Sequence, residues 1–292
     1  MDQTTLTVDG PDRRYDLRYT TFGQPDAGRA IVCVHGLTRN GRDFDVLARA
    51  LAEQQGAPAF VVCPDVVGRG RSEWLDDPEA YAVPTYAGHL LQLIQHLGVR
   101  EVDWIGTSMG GLIGMGIAAM EQHPIRRLVL NDVGPFIPKA ALERIGTYLG
   151  LELSFESLGE LEAHLRQIHA PFGPLSDEQW AHLAEHSAAK RKDGRYVLSY
   201  DPRIAQPFRT NDSVEDLDLW ALWDAIQCPT LVLRGAESDL LLPETATMMT
   251  ERGPKAELAT ITGVGHAPAL MDAAQIEIIR SWLFDQGASA VS

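Results

Sequence analysis

The chain has little cysteine, little positive charge and no long apolar run, and each shortage removes a class of function. Only three cysteines stand among 292 residues: Cys33, Cys63 and Cys228, an odd number set far apart. Two lie in apolar runs that read as strands and the third just precedes another. They are therefore expected as buried free thiols, which suits a reducing cytoplasm. No Cys and His cluster has the close spacing of a zinc site, so neither metal nor cofactor is expected. The 25 Lys and Arg are outnumbered by 40 Asp and Glu, for a formal net charge of -15. Such a chain lacks the clustered cations that nucleic acid or an anionic membrane surface demands. It also mildly repels anionic substrates unless a local Arg intervenes. No apolar run approaches the roughly 18–20 residues that span a bilayer, and the polar start "MDQTTLTVDGPDRRYD" does not read as a secretory signal. The expectation is a cytoplasmic protein acting on a small molecule, as a monomer or homodimer.

What the chain does have is alternation. "AIVCVHG" (Ala30–Gly36) and "AFVVCPD" (Ala59–Asp65) are continuous β-rich runs, as strands buried on both faces should be. Between them Phe44, Leu47, Ala48 and Leu51 recur at helical spacing. A helix over 84–97, a strand over 102–107, a helix over 109–120 and a strand over 126–132 continue the series. Strand–helix alternation of this kind predicts a mostly parallel, eight-stranded α/β sheet wrapped on both faces. From 134 to 226 strand-like runs nearly vanish, and "LGELEAHLRQIHA" and "SDEQWAHLAEHSAAKRK" favour helices. The strand pattern resumes at "TLVLRG" (Thr230–Gly235). The expected organisation is a sheet body of residues 1–133 and 227–292 with a helical cap over 134–226.

Within this frame, "VDWIGTSMGGL" (Val102–Leu112) sets a lone serine among glycines where a strand gives way to a helix. Gly106, Ser108 and Gly110 match G-x-S-x-G in the strand–turn–helix context that makes the motif mechanical. A Gly-rich packing turn would explain the pentapeptide alone equally well, so the remaining chain decides. Serine needs a base within hydrogen-bond reach, and "GVGHAP" places His266 on the loop after the last strand. The imidazole needs a carboxylate to fix its tautomer. Asp239, in "RGAESDLLLP", and Asp132, in "LVLNDVGP", both end strands on the proper edge and both give the order Ser, Asp, His. Asp239 is preferred because its separate loop can reach across to His266. Asp132 remains open as the acid, with a turn or cap role as its bland alternative. An oxyanion requires donors, expected from the backbone N–H of Leu37, freed by the turn at Gly36, and of Met109. His35 reads as structural.

The chain resembles the α/β-hydrolase family, specifically its small cofactor-free bacterial esterases and lactonases with a helical cap. Six motifs carry the resemblance in order: "VHGLTRNG", "CPDVVGRGRS", "GTSMGG", "LVLNDVGP", "LVLRGAESDLL" and "GVGHAP". It implies Ser108 as nucleophile, His266 as base, Asp239 as acid, and Leu37 and Met109 as oxyanion donors. The expected function is hydrolysis of a small carboxylic ester or lactone through an acyl-enzyme. The same triad also serves carbon–carbon bond hydrolases and enol-lactonases of aromatic catabolism, and a slow-turnover small-ligand receptor of this fold is the reading from another class. Substrate choice is expected in the cap, whose aromatics read mostly as its core. His182 and His186 share a helical face but lack an evident third metal ligand. Arg203 and Arg209 could meet a carboxylate but read as salt-bridge residues. Arg39 and Arg69 lie nearer the expected active-site mouth.

Overall fold

A computed structural model of the chain describes residues 1–209 and 215–284. The strands are β1 (Asp2–Asp9), β2 (Arg14–Phe22), β3 (Ala30–Val34), β4 (Phe60–Pro64), β5 (Val102–Thr107), β6 (Ile125–Asn131), the short β7 (Phe136–Ile137), β8 (Ala188–Lys190), β9 (Tyr196–Leu198) and β10 (Leu217–Asp218), then β11 (Thr230–Gly235) and β12 (Glu257–Ile261). Eight of them form one sheet in the order β1-β2-β4-β3-β5-β6-β11-β12. Only β2 runs against the others, pairing antiparallel with both β1 and β4. The expected eight-stranded, mostly parallel sheet is the observed one.

The helices are α1 (Asp45–Ala52), α2 (Val83–His96), α3 (Met109–Ala118), α4 (Lys139–Tyr148), α5 (Leu158–Ile168), α6 (Asp177–Ser187), α7 (Gln206–Arg209), α8 (Trp220–Ala225), α9 (Pro243–Glu251) and α10 (Ala273–Phe284). None of the described helices is long and apolar enough to cross a membrane. Two-residue periodicity divides each central strand between the two faces. Along β3, Ile31 and Cys33 pack with Leu47, Leu51 and Ile279 under α1 and α10. Val32 and Val34 turn the other way, toward Leu90, Leu93 and Ile113 of α2 and α3. All three cysteines are buried and free, as expected.

The segment between β6 and β11 carries α4 to α8. Leu161, Leu165, Trp180 and Leu183 of α5 and α6 make a small core closed from below by Met271. Ile137, Ala141, Ile145 and Trp223 instead join the main core. This insert is less purely helical than its sequence suggests. The helix expected to run on through 192 stops at Ser187, and β8 pairs antiparallel with β9 instead. The Arg191 N–H donates to Arg195 O at 2.8 Å, and Gly194 takes φ 88° to close the turn. An alanine-rich stretch carries no strand signal of its own; the pairing is set by the turn.

The β5–α3 junction is the tightest place in the sheet. Ser108 adopts φ 51°, a left-handed conformation that disfavours residues with a Cβ. A Cβ on Gly106 would run into the Gly110 carbonyl, and one on Gly110 would run into Val34 O. Strand and helix therefore touch backbone to backbone, and Trp104 Nε1 seals the contact by donating to Gly110 O at 3.0 Å. Beside this junction His35, wholly buried, ties the loop after β3 to the loop after β4. Its Nδ1–H donates to Gly36 O at 2.7 Å, and its Nε2 accepts the Val66 N–H at 2.9 Å. Burial pushes its pKa from 6.5 down to about 4, which keeps the ring neutral in that role.

Two outcomes follow from this packing. Gly110→Ala should destabilise the fold by about 3 kcal/mol. Gly116→Ala, on the same helix with open space around it, should gain about 0.5–1 kcal/mol; urea unfolding of the pair checks the contrast. His35 titrates near 6.5 unfolded and near 4 folded, so the unfolded chain binds the extra proton between those values. Its contribution is whole above pH 6.5 and is lost as the pH falls toward 4. The urea midpoint should drop between pH 7 and pH 5 (roughly the middle of that window), and His35→Asn should remove part of the drop.

Candidate active site

Three strand ends and their loops converge at the carboxyl edge of the sheet, where a nucleophile and its base must meet. Ser108 stands at the strained turn between β5 and α3. His266, from the loop after β12, places Nε2 3.0 Å from Ser108 Oγ. Its Nδ1 lies 2.8 Å from Asp132 Oδ2. One hydrogen-bonded row thus runs hydroxyl, imidazole, carboxylate.

The preference for Asp239 as the third member is corrected by this geometry. Asp239 is half exposed and turned outward, accepting from Arg144 Nη2 of α4 at 3.0 Å. Its neighbour Ser238 takes the inward direction and donates from Oγ to Asp132 Oδ2 at 2.6 Å. Asp132, with no solvent exposure, also accepts the Gly235 N–H on Oδ1 at 2.8 Å. β6 lies between β5 and β11, so a residue just past its end is already beside the serine. Asp132 bends toward His266 through φ 55°. The loop after β11 therefore orients the carboxylate that meets His266 rather than supplying it.

The loop of His266 is pinned on both sides. Asn131 Nδ2 donates to Pro268 O at 2.8 Å and to Thr107 Oγ1 at 3.0 Å, linking it to the end of β5. From the insert, Pro171 O accepts the Gly265 N–H at 2.7 Å.

Leu37 and Met109 line one cavity with Ser108, of about 590 Å³, whose walls include Leu112, Ile137, Leu142 and Phe208. Among the described residues neither backbone N–H has a protein acceptor. Sequence reasoning missed what stands behind them. Arg69, expected only near the active-site mouth, is wholly buried. Its Nε donates to Leu37 O at 2.9 Å and its Nη1 to Tyr86 Oη at 2.8 Å and Val67 O at 2.9 Å, while Nη2 reaches Met109 Sδ at 3.6 Å. No carboxylate pairs with it among the described residues, so the rings of Tyr81 and Tyr86 face the guanidinium instead. The only sequence signal was an Arg between two glycines.

The other flagged residues fall elsewhere. Arg203 is committed to Asp201; the side chain of Arg209 lies outside the described residues. His182 and His186 do meet a third possible ligand, Asp45, with ligand atoms within 4.8 Å of one another. Arg42 occupies that carboxylate, and its carbonyl meets His182 Nε2 at 3.0 Å. Asp45 and His182 are thus satisfied by protein, and the His186 ring meets that of His182 edge-on at 4.5 Å.

Comparison with known proteins agrees with the geometry. The model of the Alpha/beta hydrolase family matches residues 31–278. A 3-hydroxybutyrate-oligomer hydrolase of Cupriavidus necator is 47% identical over 275 residues, spanning 92% of each chain. Among solved structures, an alpha/beta hydrolase from Novosphingobium aromaticivorans is 36% identical with a TM-score of 0.81, covering 95% of this chain and 96% of that one. A Rickettsia typhi protein is 32% identical with a TM-score of 0.91, covering 98% of this chain and all of that one. On its sheet order, its serine turn and these matches, the chain belongs to the alpha/beta hydrolase family.

Proposed function

We propose that the chain is a serine hydrolase of small carboxylic esters, that it works through an acyl-enzyme, and that esters of 3-hydroxybutyrate are its substrate class. The row Ser108 Oγ–His266–Asp132, at 3.0 and 2.8 Å, carries the reading. His266 Nε2 takes the Ser108 proton as Oγ attacks the carbonyl carbon. The developing oxyanion lies against the Leu37 and Met109 N–H groups, which have no competing acceptor among the described residues. Arg69 holds both residues from behind and adds a fixed positive charge to that side. On collapse, His266 returns the proton to the departing alkoxide, and the acyl group stays on Ser108. A water molecule activated by the same nitrogen then releases the acid. Asp132 keeps the proton on Nδ1 and stabilises the imidazolium. The residues alone complete the cycle.

Residues 134–226 act as a cap in this reading. They furnish Ile137, Leu142, Ile145 and Phe208 to the cavity beside Ser108. That apolar wall suits a short acyl chain better than a charged one. The 3-hydroxybutyrate class is supported by the 47% identity to the Cupriavidus necator hydrolase.

The acid is the position to test. With p-nitrophenyl butyrate and a linear 3-hydroxybutyrate dimer, Ser108→Ala should abolish turnover while leaving the far-ultraviolet circular dichroism intact. Asp132→Asn should lower kcat by about 10³–10⁴ through the wrong imidazole tautomer. Asp239→Asn, which removes one exposed ion pair, should change it by less than about threefold. Full activity of the Ser108 variant, or faster turnover of a vinylogous diketone than of any ester, would overturn the reading.

A further inference from the structure

The mechanism leaves unused a second recess, of about 40 Å³, on the His266 side of the site. Thr38, Arg39, His164 and His169 border it beside the two tyrosines Tyr148 and Tyr200, and leucine and isoleucine side chains make up the rest of its wall. Arg39 belongs to the loop that carries Leu37. A Cβ on Gly36 would lie 3.7 Å from Ser108 Cβ and 3.9 Å from Arg39 Cγ, so this side chain departs close beside the nucleophile. His169 comes from the insert, where its ring stacks on Phe172 at 4.4 Å. Two residues further on, Pro171 O accepts the Gly265 N–H next to His266.

Tyr148 is paired with Arg144 and Tyr200 with the Gly150 backbone, but four other groups keep donors in hand. Arg39 gives Nε and Nη2 to Asp43 at 2.8 and 2.7 Å. Its Nη1, the Thr38 hydroxyl and the ring nitrogens of His164 and His169 have no hydrogen-bond partner among the described residues. None of these atoms is sealed from its surroundings, so each opens on the recess or on solvent. Asp43 offsets part of the Arg39 charge but leaves Nη1 over, and this donor together with the Thr38 O–H and the ring N–H groups in one small recess suits a small acceptor. Burial first, then the neighbouring Arg39, holds the His169 pKa well below its ordinary 6.5, and burial lowers that of His164. Both rings therefore offer one neutral N–H each, and Arg39 supplies the charge.

Position selects which half of the substrate carries the anion. His266 must hand its proton to the leaving oxygen, so the alcohol half of the ester lies on its side, away from the apolar cavity. We propose that Arg39, His164 and His169 form a subsite for a carboxylate borne on the alcohol half, so that the preferred substrate is a hydroxy-acid ester with a free acid terminus. This rests on the ester-hydrolase reading above and adds the selection of charge. In a chain of net charge -15 an anionic substrate is attracted only by such a local feature.

The test compares kcat/KM for the linear 3-hydroxybutyrate dimer as the free acid and as its methyl ester, which differ only in that charge. The wild type should favour the acid at least tenfold, and Arg39→Gln and His169→Gln should each lower the acid-to-methyl-ester ratio at least fivefold. Using the ratio removes losses common to both substrates. A wild type that takes both equally, or variants that keep the ratio, would overturn the subsite while p-nitrophenyl butyrate turnover leaves the hydrolase reading standing. Should the variants fail to fold, the wild-type ratio decides alone. Should no ester be turned over, the hydrolase reading fails, and calorimetric titration of Ser108→Ala with the two dimers still decides the subsite: tighter binding of the acid supports it and equal binding refutes it.

Discussion

One buried carboxylate ties together segments that the sequence keeps far apart. Asp132 accepts from the Gly235 N–H, the Ser238 hydroxyl and His266 Nδ1, which come from the end of β11, the loop beyond it and the loop after β12. A carboxylate with no solvent exposure is tolerable only when donors replace the water it has lost. Satisfying it therefore fixes two loops at once and leaves the imidazole a single orientation. The sheet supplies the setting, since β6 is flanked by β5 and β11 and brings serine, acid and orienting loop to one edge.

The backbone contact at Gly110 is the second constraint. It presses α3 against β3, and so brings the Met109 amide and the loop of Leu37 to the same cavity. Behind them Arg69, inside the turn after β4, forms a hub. A guanidinium faced by tyrosine rings and carbonyls rather than by a carboxylate keeps more of its field for its surroundings. That field points to the same side of the cavity as the two amides.

Much of this was legible in the residues, and the physical reason is local. Buried parallel strands write themselves as uninterrupted apolar runs, so β3, β4, β5, β6 and β11 could be read within a residue or two of their ends. Ser108 and His266 were legible because a motif and its strand–helix context coincide. The choice between Asp132 and Asp239 was not, because both follow strands of the same sheet edge. What separates them is the direction of one loop, where Ser238 faces inward and Asp239 outward. The β8–β9 hairpin was hidden for a similar reason: its residues suit a helix, and only the turn at Gly194 overrides them. Asp45 beside His182 and His186 joins residues more than a hundred positions apart, a proximity that no local pattern encodes.

The bond between Pro171 O and the Gly265 N–H has a mechanical consequence. It clamps the stretch of insert above the base to the base's own loop, so that stretch cannot swing away without disturbing the imidazole. The stretch of insert over His266 is thus part of the wall that holds the imidazole in its row with Ser108 and Asp132.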